Sequence, residues 1–178
     1  MPYLAHLLGV ASIVLEYGGT EEEAIAALLH DAPEDVGGPG RLEDIRARFG
    51  AAVAELVESC TDTMQRPKPA WRPRKASYIA RIPKLSDSAR LVSMADKLHN
   101  ARSLLRDLRE SGEAVWTRFK GGKDGTLWYQ RCLVQAFRTA GESPLVEELD
   151  RVVTRIEELV LVEKMNQTTF YSALPPAV

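Results

Sequence analysis

The sequence predicts an all-α fold built as one domain. Three observations carry that reading. Apolar residues recur with a helical period through most of the chain, and no stretch alternates as a half-buried strand would. A length of 178 residues suits a single hydrophobic core. The breaks between periodic stretches are short runs containing Gly or Pro, with no internal repeat, low-complexity segment or interdomain linker.

The first helix is expected from Pro2 to Tyr17. Pro2 suits a first turn, where its missing N–H is not needed. Leu4, Leu7, Leu8, Ala11, Val14 and Leu15 form the expected apolar stripe, and Gly18-Gly19 ends the helix. Thr20 and Glu23 have capping-box spacing and open a second helix. Ala24, Ile25, Ala27, Leu28 and Leu29 make that helix apolar nearly all round, so it should be deeply buried. It runs into His30-Asp31-Ala32-Pro33-Glu34-Asp35. Gly37-Gly38-Pro39-Gly40 reads as a loop. A third helix is expected from Leu42 to Cys60, with Leu42, Ile45, Phe49, Val53, Leu56 and Val57 inward. Asp62 to Pro73 reads as an irregular, cationic connection, followed by a short helix from about Arg74 that stops before Pro83. Ser88 to about Glu110 is a long helix carrying Leu91, Met94, Ala95, Leu98, Leu104, Leu105 and Leu108. A short helix over Glu113–Phe119 follows, then a break at Gly121-Gly122-Lys123-Asp124-Gly125. Two further helices lie near Thr126–Ala140 and Pro144–Val162. Residues 1–162 would form the domain, and residues 163–178 a C-terminal tail.

Composition narrows the function. Apolar residues make up 45% and charged residues 27%, as in ordinary globular proteins. A formal net charge of −2 gives no broad basic field, so neither nucleic acid nor an anionic membrane is an expected partner. A polyanionic small molecule would have to be held by a local group of cations. No apolar run reaches the length of a membrane span, and the N-terminus has no basic segment of a signal peptide. A cytoplasmic protein is expected, either a monomer or a homodimer. Cys60 and Cys132 lie far apart on apolar helix faces and read as buried thiols.

Polar residues that finish a buried helix need a reason. An unpaired buried carboxylate costs several kcal/mol, and a bound cation removes that cost by making carboxylate and imidazole its ligands. His30-Asp31 fits this, although a solvated helix end is the alternative for the pair alone. His6 sits among Leu4, Leu7 and Leu8. Asp96 sits between Met94-Ala95 and Leu98 on a helix that otherwise reads as core, and a buried aspartate needs a partner. Asn100 and Ser103 share its face of the helix, forming a polar stripe suited to a site wall. His6, His30, Asp31 and Asp96 together form an N2O2 set suited to Mn, Fe, Co or Ni, with positions left open. Glu34 and Asp35 follow His30 and Asp31 by one turn, where they would accept a proton from an attacking water. Pro33 should kink the chain between them.

The order H…HD…D resembles that of the HD-domain phosphohydrolases. Pro2-Tyr3-Leu4-Ala5-His6-Leu7-Leu8-Gly9-Val10-Ala11 is similar to the "PYxxHPxxVA" opening of the RelA/SpoT hydrolase domain. Ala27-Leu28-Leu29-His30-Asp31-Ala32-Pro33-Glu34-Asp35 is similar to its "AALLHDxxED", and Met94 to Ser103 to its "LADKLxNxRxL". Arg74-Lys75 stands where the stand-alone animal SpoT homologues carry an "RK" pair. The resemblance implies a single-domain HD-domain helical bundle with one Mn ion (Fe, Co or Ni being the other candidates) on His6, His30, Asp31 and Asp96. It implies hydrolysis of the 3′-pyrophosphate of guanosine tetra- or pentaphosphate, with Glu34 and Asp35 activating water. Asn100 and Ser103 would contact the nucleoside, and Lys75, Lys123 and Tyr129 the phosphates. The family carries basic residues before "PY" near the nucleobase, whereas Met1 alone precedes Pro2 here. Other substrates therefore stay open: NADPH, an adenine alarmone or a nucleoside phosphate. A non-catalytic nucleotide binder is the remaining alternative, and the retained Glu34-Asp35 pair argues against it.

Overall fold

The computed structural model describes residues 2–172, and the side chains of 2–162. Its spine is a long helix, here α7 (Asp87–Ser111), begun by Ser86, whose hydroxyl accepts the Ala89 N–H. The chain reaches it through α1 (Tyr3–Glu16), α2 (Glu21–Leu29), a single turn α3 (Ala32–Asp35), α4 (Gly38–Phe49), α5 (Ala51–Cys60) and α6 (Trp71–Arg81). Beyond it come a 3-10 segment over Gly112–Arg118, then α8 (Gly122–Ala140) and α9 (Pro144–Ser172). No strand occurs among the described residues.

α7 packs against α1, α2, α5 and α9. Small residues make the first three of these contacts close. Ala26 and Ala27 of α2, Ala54 of α5 and Ala95 and Ala101 of α7 are wholly buried beside Val10, Val14, Val53, Val57, Val92 and Leu98. The second half of the core is larger in grain, with Leu108, Leu133, Phe137, Leu145, Leu149 and Ile156. Each such side chain contributes about 1.5–3 kcal/mol by leaving water. Thr20 caps α2 through the expected box, its hydroxyl accepting from Glu23 N at 3.3 Å while Glu23 accepts from Thr20 N at 2.6 Å.

Several boundaries and faces differ from the sequence expectation. α1 turns inward a stripe of His6, Val10, Ala11, Ile13 and Val14, whereas Leu4, Leu8 and Leu15 are 64%, 55% and 56% exposed. The helix is apolar on more than one side, and packing against α2 and α7 chooses the face that carries His6. The expected helix over Leu42–Cys60 is two helices, broken at Gly50 with φ of +90°. That left-handed conformation suits glycine, and it leaves Phe49 half-exposed instead of inward. Gly38-Pro39-Gly40 is not loop but the first turn of α4, where proline is tolerated. Pro73 likewise falls in the first turn of α6. α8 begins at Gly122, four residues early. Gly121 and Gly125 there lie under the Trp71 indole, 2.7 and 3.2 Å from where a Cβ would stand. The last helix continues to Ser172, so the first residues of the expected tail extend α9, and 173–178 lie outside the described residues. No helix among the described residues is long and apolar enough to cross a membrane.

Candidate metal centre

Four helices converge on one buried point. α1 brings His6, the end of α2 brings His30, the start of α3 brings Asp31, and α7 brings Asp96. Ligand-capable atoms of His6, His30 and Asp96 lie within 4.8 Å of one another. Asp96 Oδ1 is 3.4 Å from His6 Nε2 and 3.5 Å from His30 Nε2. Asp31 Oδ2 approaches from the more open side, 3.8 Å from His6 Nε2 and 3.3 Å from His30 Nε2. The structure thus brings together all four residues that the sequence nominates.

The donor chemistry fits a divalent cation. His30 is 2% exposed, and its Nδ1–H donates to the Ala27 carbonyl at 2.7 Å. That leaves Nε2 carrying a lone pair, buried and without a hydrogen-bond partner. An orphaned buried nitrogen facing two carboxylates is what a metal ligand looks like before its ion is counted. With protein groups alone, burial opposes a charge on His30, but Asp96 and Asp31 outweigh it and push the imidazole up to about 10. Asp96 is driven well below the usual carboxylate range: burial opposes this, and Lys97 and His30 overcome it. The site therefore demands positive charge at its centre.

Glu34 and Asp35 lie in different electrostatic surroundings. Burial and the charges of Asp31 and Glu34 raise Asp35, with Lys68 and the Tyr3 hydroxyl acting the other way. Tyr3 in turn is pushed up to about 12 by burial and by Asp31 and Asp35. Glu34 faces a basic loop: its Oε1 is 2.8 Å from Lys68 Nζ and 3.9 Å from Arg74, its Oε2 accepts from Asp62 N, and its carbonyl accepts from Arg66.

Beside the centre is a cavity of about 350 Å³. Four of the residues that the resemblance nominates for substrate contact, Lys75, Asn100, Ser103 and Tyr129, line it, and so do Trp71, Lys97, Phe119 and Lys120. Lys123 does not line it, because its Nζ is paired with Glu113 at 2.5 Å. Asp96 of the centre is bonded to two residues of the cavity wall. Oδ1 accepts from Asn100 Nδ2 at 2.5 Å, and Oδ2 from Lys97 Nζ at 2.5 Å. Lys75 is held by Asp62 at 2.7 Å and lies over the Tyr129 ring. Burial and nearby Lys97 lower its pKa. The Tyr129 hydroxyl is buried without a partner.

Lys97, Asp62 and Trp71 were not nominated from sequence. Lys97 directly follows Asp96, and adjacent helical residues do not face each other in an ideal helix; only its long stem folds back. Asp62 and Trp71 lie in or next to the stretch that sequence reads as an irregular connection, where no period marks a face.

A family model described as "HD domain" matches residues 1–127. The chain belongs to the HD domain family. This HD domain is 42% identical over 107 residues to a guanosine-3′,5′-bis(diphosphate) 3′-pyrophosphohydrolase, MESH1, of Xenopus tropicalis, covering 59% of this chain and 57% of that protein. It is 40% identical over 121 residues to the Mus musculus protein of the same name, covering 67% and 63%. The matched part thus spans about three fifths of those relatives. Two solved structures share the architecture. One, lmo0812 from Listeria monocytogenes, has a TM-score of 0.73 and 34% identity, covering 87% of this chain and 95% of that one. The other, described as a metazoan orthologue of SpoT that hydrolyses ppGpp and plays a role in starvation responses, has a TM-score of 0.70 and 29% identity, covering 87% and 82%.

Proposed function

We propose that this HD domain is a divalent-metal-dependent phosphohydrolase that removes the 3′-pyrophosphate of a guanosine tetra- or pentaphosphate alarmone in the cytoplasm. One observation carries the reading: a single buried carboxylate, Asp96, joins a two-histidine, two-carboxylate centre to a cavity lined by lysines. The names of the relatives supply the substrate class. His6, His30, Asp31 and Asp96 would hold the ion, Mn by preference. When bound, the ion supplies Lewis-acid polarisation of a phosphoryl oxygen.

The protein's own groups do the rest. Asp35, raised by burial and by its acidic neighbours, is the better placed of the two expected bases, since Glu34 is engaged by Lys68 and Arg74. A carboxylate with raised basicity accepts a proton from the attacking water more readily. Lys75 and Lys97 neutralise charge on the phosphates. Tyr129 offers a hydroxyl that no group among the described residues uses. Asn100 and Ser103 line the cavity for the nucleoside. Trp71 and Phe119 give it aromatic walls.

The test is a product screen by mass with Mn-loaded protein and ppGpp, an adenine alarmone, NADPH and nucleoside triphosphates as separate substrates. GDP and pyrophosphate from ppGpp are expected. Phosphate released from NADPH with ppGpp untouched would move the substrate assignment. No turnover of any of them by metal-loaded protein would leave a nucleotide-binding HD protein and end the hydrolase reading.

A further inference from the structure

We infer that His99 is a positioning residue for the metal centre: it accepts the Nδ1 proton of His6 and so holds the His6 Nε2 lone pair toward the ion. The inference rests on the metal-centre reading above. The two imidazole nitrogens are 2.9 Å apart, His6 Nδ1 to His99 Nδ1. A contact that short needs one proton between them, and only one ring can carry it. If His99 donated, the His6 proton would sit on Nε2, the atom aimed at Asp96 and Asp31 at 3.4 and 3.8 Å, and His6 could not be a ligand. The other order leaves Nε2 free, with His99 neutral and protonated at its own Nε2.

The two ligand histidines need different solutions because they occupy opposite helix ends. His30 closes α2, where terminal carbonyls lack intrahelical partners, and takes Ala27 O from its own helix. His6 stands in the first turn of α1, where the unpaired groups are N–H donors and the carbonyls are engaged, as Pro2 O is by Ala5 N. A local acceptor is missing, so one comes from α7. A notch in α1 seats it. A Cβ on Gly9 would lie 2.3 Å from His99 Nε2 and 2.4 Å from Cδ2, so the ring fits only because residue 9 is glycine. The His6 and His99 rings meet edge to face, with centroids 4.9 Å apart. Partners of this kind fix ring orientation and tautomer, and their removal costs metal affinity.

The experiment compares the parent protein with His99→Asn, which keeps an acceptor near the Nδ1 position, and His99→Phe, which keeps a ring without one. Three quantities are read: Mn affinity by titration, thermal stability in chelator, and the His6 tautomer by nitrogen NMR of histidine-labelled protein. His99→Phe should bind Mn about 10- to 100-fold more weakly and lose the Nδ1–H tautomer of His6. His99→Asn should keep the tautomer and stay within about threefold of the parent, on the same physical ground that the acceptor is retained. Gly9→Ala, which displaces the ring, should behave like His99→Phe. Parental affinity and tautomer in folded His99→Phe, or an Nε2–H tautomer in the parent, would overturn the inference. A parent that binds no divalent ion would instead remove the metal-centre reading beneath it.

Discussion

Asp96→Asn is the sharpest single test of how the centre is built. Asp96 is 5% exposed and serves four partners: His6 and His30 Nε2, Lys97 Nζ and Asn100 Nδ2. The substitution keeps the shape and removes the charge. Lys97, whose side chain is 14% exposed, then loses its one close carboxylate among the described residues. Removing one partner of a buried ion pair costs about 3–5 kcal/mol, mostly because the other charge stays buried. For a domain of this size, 1 kcal/mol moves the melting temperature by about 2–4 °C. Metal-free Asp96→Asn should therefore melt roughly 6–20 °C below the parent, taking those two ranges together. Circular-dichroism melts in chelator measure this. A second arm adds Lys97→Met. The double variant should recover a large part of the stability but none of the Mn affinity, which separates the ion-pair role of Oδ2 from the ligand role of Oδ1. If Asp96→Asn keeps the parent's metal stoichiometry and affinity, the four-residue centre is wrong.

Asp35→Asn should leave Mn binding intact and lower kcat by about 10²- to 10⁴-fold, the usual worth of a general base; unchanged turnover would transfer that role elsewhere. Tyr129→Phe removes a buried hydroxyl that lacks a protein partner, so stability should stay level or rise by about 1–3 kcal/mol. Nucleotide KM should rise in the same variant, and a loss of stability with unchanged KM would contradict the placement. Cys60 is buried, and burial pushes its thiol up to about 12. At pH 8 a thiol reagent should label Cys132 first and Cys60 only on unfolding. The sign for stability follows: Cys60 stays neutral in the fold while an unfolded thiol ionises near about pH 8.5, so its contribution is whole below that pH and declines toward 12. Cys60→Ala should flatten that alkaline slope in denaturant titrations.

Much of the centre was legible in sequence because its residues violate their local pattern. His30-Asp31 interrupts an apolar helix end, and Asp96 interrupts the core face of α7. A buried charge among apolar neighbours implies a partner whatever the fold. The helices were legible for the converse reason, since their apolar period is regular. What escaped depended on contacts between elements. The inward face of α1 follows from where α2 and α7 pack, and a helix with leucines on several sides does not announce it. The break at Gly50 needs a left-handed φ that an otherwise continuous period hides. Lys123 resembles a phosphate contact in sequence, but Glu113 claims it across the turn into α8. His99 carries no local anomaly, and its role shows only when Gly9 of another helix is seen beneath it.

Asp96 also bears on how a chain with net charge −2 would hold the highly charged anion proposed above. Two of the three cavity lysines are not surplus charge: Lys75 is answered by Asp62, and Lys97 by Asp96. A protein with these lysines unanswered would pay for their burial, and Lys75 already feels that in its lowered pKa. A cation at the histidines draws on Asp96 Oδ1 and leaves less of that carboxylate's charge to offset Lys97. The field in the cavity then becomes more positive when the centre is loaded. Metal and phosphate should bind with positive coupling, and coupling of this kind is reciprocal. Inorganic pyrophosphate should bind more tightly to Mn-loaded than to chelator-treated protein, and Lys97→Met should shrink that difference while leaving the direct contribution of the ion. Equal pyrophosphate affinity with and without Mn, at full metal occupancy, would show that the two sites do not communicate through Asp96.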